Sequence, residues 1–172
     1  MAQPQQFSVL TVCLGRSPMA EAVIAHEARL RPGLQLRIDS AGTGAYHAGD
    51  DADPRTVAVC KKNKVPIQCT ARRVRESDFD EFDYILAMDQ SNLQTLLTRK
   101  PKHARARLAL FGTFDPDLAL ASPGARRQRP RAIEDPYYGG ERGFDECYEQ
   151  CVRYARGFLD FLQAGGGDIP KL

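Results

Sequence analysis

Apolar positions along this chain follow two rhythms that take turns. Phe7-Ser-Val-Leu-Thr-Val12 is a short apolar, β-branched run, the pattern of a strand buried on both faces. Met19, Ala20, Val23, Ile24 and Ala28 then recur at helical spacing until Pro32-Gly33 stops the run. Ser17 suits the cap of that helix, Pro18 its first position, and Glu21 its positive first turn. Leu36-Arg-Ile-Asp-Ser40 predicts a second strand, followed by a glycine-rich loop from Ala41 to Gly49 and a helix over Pro54 to Asn63. Tyr84-Ile-Leu-Ala-Met88 predicts a third strand, with Asp89 capping a helix through Leu97. Arg107-Leu-Ala-Leu-Phe111 predicts a fourth strand. The last helix carries the plainest stripe: Phe144, Cys147, Tyr148, Cys151, Ala155, Phe158, Leu159 and Leu162.

Strand and helix in alternation predict an α/β fold: an open parallel sheet of about four strands with helices on both faces. Such sheets bind ligands where the carboxyl ends of strands meet helix N-termini. At 172 residues the chain makes one domain, with a core over about 7–163. Two stretches fall outside the rhythm. Ser122–Arg131 carries four arginines with no apolar period and reads as an exposed basic loop. Gly165-Gly-Gly167 opens a tail over 164–172 that nothing in the pattern holds in place.

Composition narrows the function classes. Apolar residues at 42% and charged residues at 27% fit a globular domain rather than a disordered chain. No run reaches the roughly 18 apolar residues of a membrane helix, and Met1-Ala-Gln-Pro-Gln-Gln lacks a signal-peptide pattern, so no membrane partner and a cytoplasmic location are expected. The 24 Lys and Arg against 22 Asp and Glu leave +2, too little for the broad basic footprint of a nucleic-acid binder. The five cysteines, Cys13, Cys60, Cys69, Cys147 and Cys151, are odd in number and scattered, which favours free thiols. With His26, His47 and His103 also dispersed, they complete no zinc set, and no metal or other cofactor is expected.

Two short stretches carry chemistry. The first strand runs into Cys13-Leu14-Gly15-Arg16-Ser17-Pro18 and then a helix. A helix N-terminus favours anions, a thiolate among them, and a guanidinium fork matches phosphate oxygens. Gly15 lets a ligand approach the backbone. Taken alone, Cys13 also reads as an ordinary buried cysteine at a strand end. The second stretch is Glu134-Asp135-Pro136-Tyr137-Tyr138-Gly139, where Pro136 restrains Asp135 and the aromatic neighbours can shield its carboxyl, as a general acid requires. Taken alone, it also reads as a capping turn.

Together with Asp39-Ser40-Ala41, Phe82-Asp-Tyr-Ile-Leu86 and Met88-Asp-Gln-Ser-Asn92-Leu93, these stretches resemble the low-molecular-weight protein tyrosine phosphatase family, in order from about Ser8 to Leu162. The resemblance implies a flavodoxin-like sheet and hydrolysis of phosphotyrosine in proteins and of small aryl phosphates, an acid phosphatase activity, through a phosphocysteine. It implies Cys13 as nucleophile, Arg16 holding the equatorial oxygens, Ser17 bonding the thiolate, and Asp135 as acid and then base. Leu14 and Gly15 would cradle the phosphate. Tyr46 with Tyr137 or Tyr138 would wall the cleft, and Ser40 and Asn92 would support it. A monomer or weak self-association is expected.

The chain departs from the family at one point. The family loop has five residues between cysteine and arginine, typically Cys-Leu-Gly-Asn-Ile-Cys-Arg-Ser, whereas only Leu14 and Gly15 separate Cys13 from Arg16. Three missing residues remove about 10 Å of contour and several N–H donors of the anion nest. Losing one such donor costs on the order of 100-fold in rate, so this loop predicts severe impairment. A catalytically dead, phosphotyrosine-binding relative is therefore the alternative reading, and an arsenate-reductase relative a third. Among lesser features, Cys69 reads as a neutral surface substitution, and Cys147 and Cys151 as packing residues. His47 beside Tyr46 is a candidate substrate contact, and the arginine loop a candidate steering element for acidic substrates.

Overall fold

The computed structural model describes residues 3–13, 17–44, 49, 51–70, 72–120, 128–133, 135–136 and 139–170; for Ser17, Ala119, Leu120 and Glu141 it describes the backbone alone. Leu14, Gly15, Arg16, Tyr46, His47, Tyr137, Tyr138 and the 122–127 part of the arginine loop lie outside the described residues. Four strands, β1 (Gln5–Cys13), β2 (Leu34–Gly42), β3 (Tyr84–Ala87) and β4 (Arg107–Leu110), form one sheet in the order β2-β1-β3-β4. All three pairings are parallel, with Cys13 beside Gly42 and Val12 beside both Ala41 and Ala87. This is the open parallel sheet the alternation pointed to, in the flavodoxin-like arrangement the family resemblance implied. The helices are α1 (Ser17–Arg29), α2 (Pro54–Lys62), α3 (Asp78–Glu81), α4 (Gln90–Arg99) and α5 (Gly143–Gln163).

Side chains of β1 alternate between two cores, the period of two that a strand imposes. Val9 and Cys13 point into a cluster with Met19, Val23 and Ile24 of α1, and with Tyr154, Phe158 and Leu162 of α5. Leu10 and Val12 point the other way, towards Phe79, Ile85 and Leu96. α1, α2 and α5 pack together on the first face, and α4 lies against β3 and β4. Tyr84 anchors an aromatic group on the first face, with edge-on contacts to Phe158 (5.7 Å) and Phe161 (5.8 Å).

One feature goes beyond the sequence expectation and one differs from it. Past β2, the stretch beyond Cys69 runs beside the strand's carboxyl end: the Gly42 amide donates to Arg72 O (2.7 Å) and the Val74 amide to Gly42 O (3.0 Å). At the other end, the glycine run read as the start of a free tail lies on the core. Gly167 donates its amide to the Tyr84 hydroxyl (2.7 Å), and that hydroxyl donates to Gly167 O (2.9 Å). Gly165, Gly166 and Gly167 all have positive φ, so this turn suits residues without a Cβ. A buried tyrosine hydroxyl needs a partner, and the turn supplies one.

Candidate active site

β1 delivers Cys13 to the carboxyl end of the sheet, fully buried, and only three residues separate it from Ser17, where α1 begins. Ser17 is therefore the first helical residue rather than a cap outside the helix. Glu21 falls past the first turn, and α1 carries no acid in that turn. The next strand over, β3, ends at Ala87, and the amide of Met88 just after it donates to Val12 O (3.1 Å). Met88 O in turn accepts from the Ile133 amide (2.9 Å), which pins the approach to Asp135 at the same end of the sheet as Cys13.

That pinning depends on Gly112. A Cβ there would lie 2.0 Å from Arg131 O, so the 131–133 segment can cross the turn after β4 only because this position has no side chain. Asp135 is half-buried, and Pro136 after it is buried against the start of α5. The sheet thus gathers a thiol, a helix start and a carboxyl at one edge.

Asn92, proposed from the sequence as a support, is buried on α4. Asp89 caps that helix by accepting the Asn92 amide (2.8 Å), as its position before the helical run predicted. The Asn92 side-chain oxygen accepts from Thr43 Oγ1 (3.2 Å), tying the loop after β2 to α4. Ser40, the second proposed support, is 2% exposed and faces α1 and the edge segment around Cys69 and Arg72 beside β2: its Oγ donates to Glu21 (2.5 Å) and lies 2.9 Å from Cys69 Sγ.

Cys69 is not the neutral surface residue the sequence suggested. It is half-buried, and burial above all pushes its thiol up to about 11, with Glu21 and Asp39 adding to the rise. Glu21 is raised too, again chiefly by burial and by Asp39, against the lowering pull of Ser40, Cys69 and Arg72. Arg72 is clamped between Asp78 (2.9 Å) and Asp39 (2.8 Å). Cys147 and Cys151 are buried in the core on α5, with Cys60. Among the described residues, no group of three His, Cys, Asp or Glu is placed to hold a metal, and no helix is long and apolar enough to cross a membrane.

An open parallel sheet that presents a thiol before a helix and a carboxyl from the next crossing defines a class: α/β proteins with their chemistry at the strand ends. Within that class the relatives are specific. A family model described as low molecular weight phosphotyrosine protein phosphatase matches residues 8–166. The low molecular weight phosphotyrosine protein phosphatase of Schizosaccharomyces pombe is 47% identical over 161 residues, covering 90% of this chain and 96% of the relative. Its Homo sapiens counterpart is 39% identical, covering 93% and 98%. A crystal structure of a protein tyrosine phosphatase from Entamoeba histolytica superposes with a TM-score of 0.80 at 33% identity, covering 92% of this chain and 98% of that one. The chain belongs to the low molecular weight phosphotyrosine protein phosphatase family, a family of hydrolases.

Proposed function

We propose that this chain hydrolyses phosphotyrosine in proteins and small aryl phosphates through a phosphocysteine on Cys13, at a rate held down by its short loop. The observation that carries the reading is the shared edge: Cys13 ends β1 where α1 begins, and the Met88–Ile133 bond brings the Asp135 segment to that same end. In the first step the Cys13 thiolate attacks phosphorus, the S–P bond forms, and the aryl O–P bond breaks as Asp135 gives its proton to the leaving oxygen. In the second step Asp135 takes a proton from water, which attacks phosphorus and returns phosphate and the thiolate. Arg16 and the α1 amides hold the phosphoryl oxygens, and Ser17 bonds the thiolate. Tyr46, Tyr137 and Tyr138 contact the aryl group.

The length of the loop supports the impairment. Leu14, Gly15 and Arg16 are all that joins the end of β1 to α1, so fewer N–H donors reach the anion than in a family loop with five residues before the arginine. That shortness also favours a second reading, a phosphotyrosine binder without turnover.

The test is p-nitrophenyl phosphate hydrolysis at mildly acidic pH by three proteins: the chain itself, its Cys13→Ser variant, and a form with Asn-Ile-Cys inserted after Gly15. The expected result is a gain of at least about 100-fold on insertion and no turnover in Cys13→Ser. Equal rates with and without the insertion would overturn the role given to the lost donors. No turnover in either loop form, with phosphotyrosine peptide still bound, would establish the binding-only reading.

A further inference from the structure

The catalytic scheme leaves one hydrogen-bonded cluster unused. Glu21 from α1, Ser40 from β2 and Cys69 from the edge segment meet below the strand ends, with Ser40 Oγ 2.5 Å from Glu21 Oε2 and 2.9 Å from Cys69 Sγ. A serine hydroxyl has one proton, so Ser40 donates to one neighbour and accepts from the other. With Glu21 ionised, the Cys69 thiol donates to Ser40 and Ser40 donates to Glu21. With Glu21 protonated, the order turns round: the carboxyl donates to Ser40, whose hydroxyl then points at sulfur. In both states the hydroxyl donates to one of these two partners and accepts from the other.

We propose that Glu21, Ser40 and Cys69 form a hydrogen-bond relay that locks α1 to β2 behind the nucleophile loop and reverses its direction when Glu21 takes up a proton. The three are positioning residues, and their link to turnover rests on reading Cys13 as the nucleophile. Glu21 stands one helical turn after Ser17, on the same face of the helix that opens at the site.

The surroundings assign the proton to Glu21. Burial of its carboxyl is the main reason it holds a proton above the usual carboxylate range. Asp39 of β2 adds to that effect, while Arg72 of the edge segment favours ionisation and is itself divided between Asp39 and Asp78. The sulfur stays protonated across neutral pH, its thiol being pushed up to about 11. The relay therefore changes state by one proton, at the carboxyl end. Because the Cys69 thiol favours the ionised carboxyl, removing it must raise the Glu21 midpoint further.

Carbon-13 NMR titration of the Glu21 carboxyl in the whole chain tests the relay. A raised midpoint is expected, moved further up in Cys69→Ala and brought back in Cys69→Ser, which keeps a donor. Hydrolysis of p-nitrophenyl phosphate by the same proteins should show a step in kcat at that midpoint, absent in Glu21→Gln. Cys69→Ala should lower kcat about 2- to 10-fold, the worth of one hydrogen bond, with little change in KM. An ordinary carboxylate midpoint, or one that ignores Cys69→Ala, overturns the relay. A moving midpoint with no matching step in a chain that turns over overturns its positioning role. No turnover at any pH, with the midpoint moving as expected, leaves the relay standing and sinks the hydrolase reading.

Discussion

The two carboxyls of Asp135 and Glu21 are proposed to have different duties, and each makes a separate prediction. Asp135→Asn removes the proton donor while keeping the shape, so kcat should fall by about 10²- to 10⁴-fold in the loop form that turns over. The loss should be greater for phenyl phosphate than for p-nitrophenyl phosphate, whose leaving group needs less help; equal losses would remove Asp135 from the acid's role. Glu21 acts on stability. Its folded pKa is raised, so the folded state holds the proton more tightly than the unfolded chain. Its contribution is fully present below the unfolded pKa and is lost as pH rises through the folded value. Glu21→Gln, which cannot ionise, should therefore gain stability relative to the parent as pH rises across that window, measured by urea unfolding at several pH values. The placement of Cys13 and Asp135 at one end of the sheet was legible in the sequence because each sits beside local signals, a strand running into a helix and an Asp-Pro turn. The contact of Cys69 with Ser40 was not. Its partners Glu21 and Ser40 lie 48 and 29 positions away, and no short-range pattern marks a pairing of that span.

Among the elements, the four strands and the helices of nine residues or more were readable, and the single-turn helices were not. β1 and α5 follow their periods over many residues, and Asp89 announces α4, whose cap it closes on the Asn92 amide. Asp89→Ala should cost about 1 kcal/mol, seen as a lower urea midpoint at unchanged slope. The four-residue α3 and the single-turn helices at Phe111–Phe114, Pro116–Leu120 and Gly140–Arg142 are too short to show a period. One of those turns matters to the site, since it carries Gly112. Gly112→Ala would drive a methyl into Arg131 O and force the 131–133 segment off the sheet edge. The expected outcome is a folded but destabilised protein that loses more activity than Asp89→Ala does. A variant with parental activity would mean that the 131–133 crossing does not position Asp135.

At the scale of the molecule, the alternation of strands and helices sufficed for the parallel sheet and for helices on both faces. The closing turn at Gly165–Gly167 escaped notice because glycine runs carry no packing signal, and what fixes this one is Tyr84, some 80 positions earlier. Tyr84→Phe removes both bonds to Gly167 and should speed amide exchange in residues 165–170 while leaving turnover unchanged. Slowed turnover would show that the two ends of the sheet communicate. Gly166 lies against Phe7 as well as Tyr84, so the beginning of β1 and the segment after α5 sit side by side at the strands' amino ends. The six steps from Phe7 to Cys13 along β1 place that meeting point about 20 Å from Cys13. A fusion partner, an affinity handle or a surface tether joined at either place would therefore hold the molecule with the Cys13 end of the sheet turned outward, and an array immobilised this way would present that end to the solution.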